Sequence, residues 1–140
     1  MTTPAIDSRV TVGHVHLKVA DLDRALQFYC GVLGLSLTQR LGREAAFISA
    51  GSYHHHIGLN TWESLGGSPP PPGTTGLYHL ALLYPDRPAL ADALRRVLLV
   101  IHSNGQKLAI DCLDLSLQRH CTPVLSQLHQ KTFAVDRKFF

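Results

Sequence analysis

The sequence predicts an α+β fold built on a repeated β-α-β-β-β unit, and three observations predict it. Strand-like alternation over residues 13–19 passes directly into a helical stripe. Three further strand-like runs follow that helix, separated by glycine-bearing turns. The opening strand and helix then recur 65 residues later, with a histidine and an aspartate in register.

Residues 13–19 read GHVHLKV, so His14, His16 and Lys18 alternate with Val15, Leu17 and Val19. That period of two belongs to a half-buried strand. Asp21 stands where an N-cap belongs, with a carboxylate placed to accept from the first free backbone N–H groups. Leu22, Ala25, Leu26, Tyr29, Val32 and Leu33 fall on one helical face, and Gly34 supplies the stop. Residues 35–39 and 45–49 read as strands with Gly42, Arg43 and Glu44 turning between them. Gly51 and Ser52 turn the chain again, and residues 53–60, YHHHIGLN, read as a third strand. Alternation along it would place His54, His56 and Gly58 on one face and His55 on the other.

Residues 64–76 hold four consecutive prolines among glycine and serine. Proline offers no backbone donor and favours an extended form, so this stretch is a linker. Beyond it, residues 78–84 read as a strand, Asp86 as an N-cap, and Pro88 as an early helical residue. The offset of 65 carries His14 onto His79 and Asp21 onto Asp86. It carries helix positions 25, 26, 29, 32 and 33 onto Leu90, Ala91, Leu94, Val97 and Leu98, all apolar. Caps, stripe and strand histidines in one register indicate duplication, and a duplicated pair makes its cleft between the copies. The expected organisation is one domain over 1–140. Module one spans 9–62, the linker 64–76, and module two 77–140.

Composition narrows the function classes. A chain of 140 residues with 45% hydrophobic content can close one core. No apolar run approaches the roughly 18–20 residues of a membrane span, and the first residues lack the charged and apolar regions of a signal peptide. The net charge of +3 is dispersed, unlike the basic stripe of a nucleic-acid footprint. Three cysteines without a CxxC pair fit a reduced, cytoplasmic protein. Nine histidines are the compositional oddity, and histidine is both the commonest metal ligand and the usual proton shuttle.

Three segments in order, GHVHLKVADLDRALQFYCGVLGL, AAFISAGSYHHHIGLNTWES and GTTGLYHLALLYPDRPALADALRR, resemble the vicinal oxygen chelate superfamily, in particular its glyoxalase-like and catechol 2,3-dioxygenase-like members. The resemblance covers about residues 9–98. It implies two βαβββ modules forming an open, cup-shaped mixed sheet around a divalent metal, Fe(II) first, with Mn, Zn or Ni as the other candidates. It implies His14 and His79 as metal ligands and a small-molecule substrate with vicinal oxygens, a catechol among the candidates; His54 and His56, which alternation puts on the cleft face, are the candidate imidazoles to move a proton. His16 shares the face of His14 and is read as cleft-lining or ligating. Related dioxygenase-like chains carry four modules, so a homodimer would supply the other half.

The resemblance fades after residue 100. The family's acidic-glycine turn and its glutamate-bearing strand are missing, and no glutamate follows Glu63. In module one the carboxylate position falls on Gly58, which cannot ligate. The second module is therefore expected to be incomplete or divergent. The alternative reading is a metal-free small-molecule binding protein, or an inactive, C-terminally altered family member.

Overall fold

The computed structural model describes residues 4–103 and 132–136. Strand β1 (Val15–Lys18) leads into helix α1 (Leu22–Leu26), which widens without a break into a π-helical segment, Gln27–Val32. Strands β2 (Ser36–Leu41), β3 (Ala45–Ser49) and β4 (Ile57–Asn60) complete a four-stranded mixed sheet in the order β1-β4-β3-β2. The outer β1 runs parallel to β4, and the other pairings are antiparallel. This β-α-β-β-β order is the predicted one.

Each element has a local cause. Asp21 caps α1, its Oδ1 accepting from the Arg24 N–H at 3.0 Å. The stripe of Leu22, Phe28, Tyr29, Val32 and Leu33 packs on Leu17 and Val19 of β1, Ile48 of β3, and Ile57 and Leu59 of β4. The central strands are the buried ones, with Ala46 and Ile48 at 0% exposure, while the edge strand β2 is exposed throughout. The Tyr29 ring lies inside this core and its hydroxyl is buried with no hydrogen-bond partner, so burial pushes the phenol well above its ordinary pKa.

Beyond residues 64–76, β5 (His79–Leu83) and helix α2 (Arg87–Ser103) repeat the opening. Asp86 Oδ1 accepts from the Ala89 N–H at 2.8 Å, reproducing the Asp21 cap. Leu80, Leu82, Leu90, Leu94 and the buried Val97 pack against the first module's core. Arg96 fastens α2 to the end of the first helix, donating from Nε to the Val32 carbonyl and from Nη2 to the Leu33 carbonyl, both at 3.1 Å. Those are carbonyls that a helix end leaves without an internal partner. Asp92 orients the guanidinium through its Nη1 at 2.7 Å. Strand β6 (Thr132–Asp136) pairs antiparallel with β5, His79 opposite Asp136. The expected strand around Leu113, Leu115 and Leu117, and the divergent end of module two, lie outside the described residues.

One expected element is shorter than read. Residues 53–56 are not strand; β4 begins at Ile57. Local hydrogen bonds hold the preceding segment in a turn instead. The Thr38 hydroxyl, at the irregularity between Leu37 and Gln39 in the β2–β3 register, donates to the carbonyls of Phe47 at 3.0 Å and His54 at 2.8 Å. Side-chain-to-backbone bonds of this kind compete with a ladder.

Candidate metal centre

The turn and the sheet face beside it carry the histidines. Along β1 the apolar side chains enter the core, so His14, His16 and Lys18 stand on the opposite, exposed face. On that face the register sets a row across the sheet, with His16 opposite Gly58 and Gly58 opposite Phe47. The His16 ring lies over Gly58. A Cβ built at Gly58 would meet ring atoms of His16 at 2.7–2.8 Å, closer than side chains approach. A glycine inside a buried strand commonly marks such a close approach, which flags position 58 in the sequence, while the β1–β4 register identifies His16 as the group that approaches.

The Val15 N–H donates to the His56 carbonyl at 3.0 Å, which holds the start of β1 against the histidine turn. His14 therefore meets His55, ring centroids 4.4 Å apart, and also His16 at 5.3 Å and His54 at 5.8 Å. His55 also reaches His16 at 5.6 Å and rests on Phe47 at 4.9 Å. One ligand atom from each of His14, His16 and His55 lies within 4.8 Å of the others, the group among the described residues able to hold a metal ion. The placement of His55 corrects the expectation that it would turn to the back of the sheet. Strand alternation does not reach it, because the strand starts two residues later.

The electrostatics suit ligation. His55 is half-buried, and its Nε2 is buried with no hydrogen-bond partner. Burial first, and then the neighbouring His14, His54, His16 and His56, push its pKa below the ordinary imidazole value. The neutral ring is the ligating form. The three donors are all imidazoles with no carboxylate among them, a set that fits a borderline divalent ion.

His56 is tied down elsewhere. Its Nδ1 accepts from the Ala50 N–H at 3.3 Å and stands 2.8 Å from Ser49 Oγ. With Nδ1 accepting, the ring proton sits on Nε2. His54 packs between His14, His55 and Tyr53, 4.3 Å from the Tyr53 ring. His79 is not a member of the converging group; it is exposed on β5, with Leu80 and Leu82 turned to the core. Its ring neighbour is Tyr78, at 5.6 Å.

A cleft of about 400 Å³ adjoins the cluster, between the outer face of β1 and the linker. Its lining includes His16, Lys18, Ser64, Ser68, Pro70 and Leu77. His16 belongs to both cleft and cluster. Lys18 pairs with Glu63 near its rim.

An open mixed sheet in β-α-β-β-β order, with imidazoles gathered at the head of its first strand, defines an α+β domain with a candidate metal centre. The chain belongs to the Glyoxalase/Bleomycin resistance protein/Dioxygenase superfamily, whose sequence profile matches residues 11–98. Among curated relatives it is similar to a catechol-2,3-dioxygenase of Bacillus subtilis (strain 168), 41% identical over 87 residues, which is 61% of this chain and 30% of that protein. The match thus spans less than a third of the relative's length. No solved structure matches the chain. No helix among the described residues is long and apolar enough to cross a membrane.

Proposed function

We propose that the protein is a metal-dependent enzyme of the glyoxalase and extradiol-dioxygenase kind, acting on a small substrate with two adjacent oxygens. The observation that carries this reading is the convergence of His14, His16 and His55 beside a cleft sized for a small molecule. His14 is common to both descriptions of the centre, paired with His79 by the repeat and with His16 and His55 by proximity. A divalent ion held there, Fe(II) by analogy with the relative named as a catechol-2,3-dioxygenase, supplies Lewis acidity toward the paired oxygens.

The chain's own residues do the rest. The apolar cleft wall of Pro70 and Leu77 excludes water from an aromatic or aliphatic body, and Lys18 offers a cation to an anionic substrate. In this reading His54, whose ring neighbours His14, accepts a substrate proton. His56, with Nδ1 accepting from Ala50, presents a protonated Nε2 as the complementary donor. The free Cys30 supports a reduced, cytoplasmic setting.

A second reading has its own support. The converging ligands include no carboxylate, and a cup without a competent ion would serve as a metal-free binding protein. Metal analysis of untagged protein, together with oxygen uptake on a panel of catechols, separates the two. Near-stoichiometric divalent metal with catechol-dependent oxygen uptake is expected. Metal-free protein that binds aromatic ligands without consuming them would establish the second reading in its place.

A further inference from the structure

We propose that His14, His16 and His55 by themselves form a complete three-nitrogen site within the first module, one that takes a borderline divalent ion such as Fe(II), Zn(II), Co(II) or Cu(II) and needs neither His79 nor a carboxylate. The inference rests on the reading above that a metal binds at His14, and it specifies the ligand set and the ion class.

Three observations converge on it. The first is distance. The candidate ligand atoms lie within 4.8 Å of one another. Nitrogens around a tetrahedral Zn(II) with bonds of about 2.0–2.1 Å sit roughly 3.3 Å apart. The remaining closure is within reach of ring rotation, because the terminal imidazole torsion has a broad minimum and the His14 and His16 rings are exposed. The second is the orphaned Nε2 of His55, buried and without a hydrogen-bond partner. A buried polar atom in that condition is costly unless something occupies its lone pair or its proton. Its ring packs against Phe47, His14 and His16, so the imidazole itself is held at the cluster.

The third is Gly58. The His16 ring occupies the space a side chain at 58 would need, so the sheet face is built around this imidazole rather than merely tolerating it. Each element delivers its ligand separately: the entry to β1 brings His14, β1 itself brings His16, and the turn pinned by Thr38 brings His55. Three neutral donors leave the ion's double charge uncompensated. That suits imidazole-preferring ions over the oxygen-preferring Mg(II), Ca(II) or Mn(II). Three protein ligands would leave an ion able to take a further ligand, and His16 also lines the adjoining cleft.

The test is calorimetric titration of the full, untagged chain with Zn(II), backed by Cu(II) electron paramagnetic resonance on the wild type. The expected result is one ion per chain, with His14→Gln, His16→Gln and His55→Gln each weakening binding by about 10–100-fold and His79→Gln leaving it unchanged. Nitrogen hyperfine structure from three imidazoles is expected in the wild-type copper spectrum, a readout independent of whether any variant folds. Binding that depends on His14 and His79 but not on His16 or His55, with two nitrogens in the spectrum, would overturn this inference and leave the metal-dependent reading standing. No Zn(II) or Cu(II) bound by the wild type would overturn this inference, and the absence of Fe(II) as well on metal analysis would overturn the metal-dependent reading.

Discussion

β1 with its helix and β5 with α2 begin alike. Asp21 caps one helix at 3.0 Å and Asp86 caps the other at 2.8 Å, each from the residue three places on. Each strand turns its apolar positions inward and its histidine outward. The surroundings of those two histidines differ. His14 faces a turn that delivers two more imidazole rings, His54 at 5.8 Å and His55 at 4.4 Å between centroids, while His79 stands on an exposed strand face beside Tyr78. The difference lies in what surrounds each strand rather than in the strand itself. What makes a site is the neighbour: β4, which lends a glycine for His16 to lie on, and the preceding turn, which supplies His55.

The most damaging way to erase that difference is to fill Gly58. Gly58→Val places a branched Cβ where the His16 ring lies, at 2.7–2.8 Å. The ring must leave, and it is hemmed by His14, Phe47 and His55. Divalent-metal affinity is expected to fall by more than tenfold, and overpacking is expected to cost about 1–3 kcal/mol of stability. Adding His16→Ala to the same chain should recover the stability and not the metal affinity. A double-mutant cycle in chemical denaturation reads the coupling directly, and additive losses would show that the two positions do not compete for one space.

The second test loosens the joint between the two strand–helix pairs. Arg96→Ala removes two charged hydrogen bonds to the Val32 and Leu33 carbonyls. Charged hydrogen bonds contribute about 1.5–3 kcal/mol when sheltered. The guanidinium is 37% exposed, so a loss of about 1–2 kcal/mol is expected after screening. Lysine should recover little, since a point charge cannot span two carbonyls as a planar fork does. Zn(II) affinity is expected to stay unchanged, because every proposed ligand lies in the first module. A parallel loss of affinity would mean that the centre reaches across to α2.

Much of this was legible in the sequence, and the illegible part has a physical reason. The caps, the buried stripe and the alternation of β1 and β5 are local, so residue type and period reveal them: Asp21, Leu22, Tyr29 and Val97 all stand where the pattern puts them. The histidine turn is not local. Whether His55 lies behind the sheet or above it depends on where β4 starts, and that is fixed by Thr38 bonding to the His54 carbonyl from another strand, 16 residues away. Alternation counted back from Ile57 fails at that junction. Gly58 was visible as a position unable to ligate, but its use as a bed for His16 needed the parallel register between β1 and β4.

The smallest test concerns a position where the repeat itself suggests the change. Tyr29 corresponds, at the offset of 65, to Leu94; the first helix carries a hydroxyl where the second carries none. The Tyr29 hydroxyl is buried without a partner, and leaving such a group unsatisfied costs about 1–3 kcal/mol. Tyr29→Phe removes it with nearly the same shape, so a gain of about 1 kcal/mol in unfolding free energy is expected, read as a shift in the denaturant midpoint at unchanged slope. A loss of stability would show that the hydroxyl has a partner in the folded protein. The two helices would then differ in what they bind and not only in what they bury.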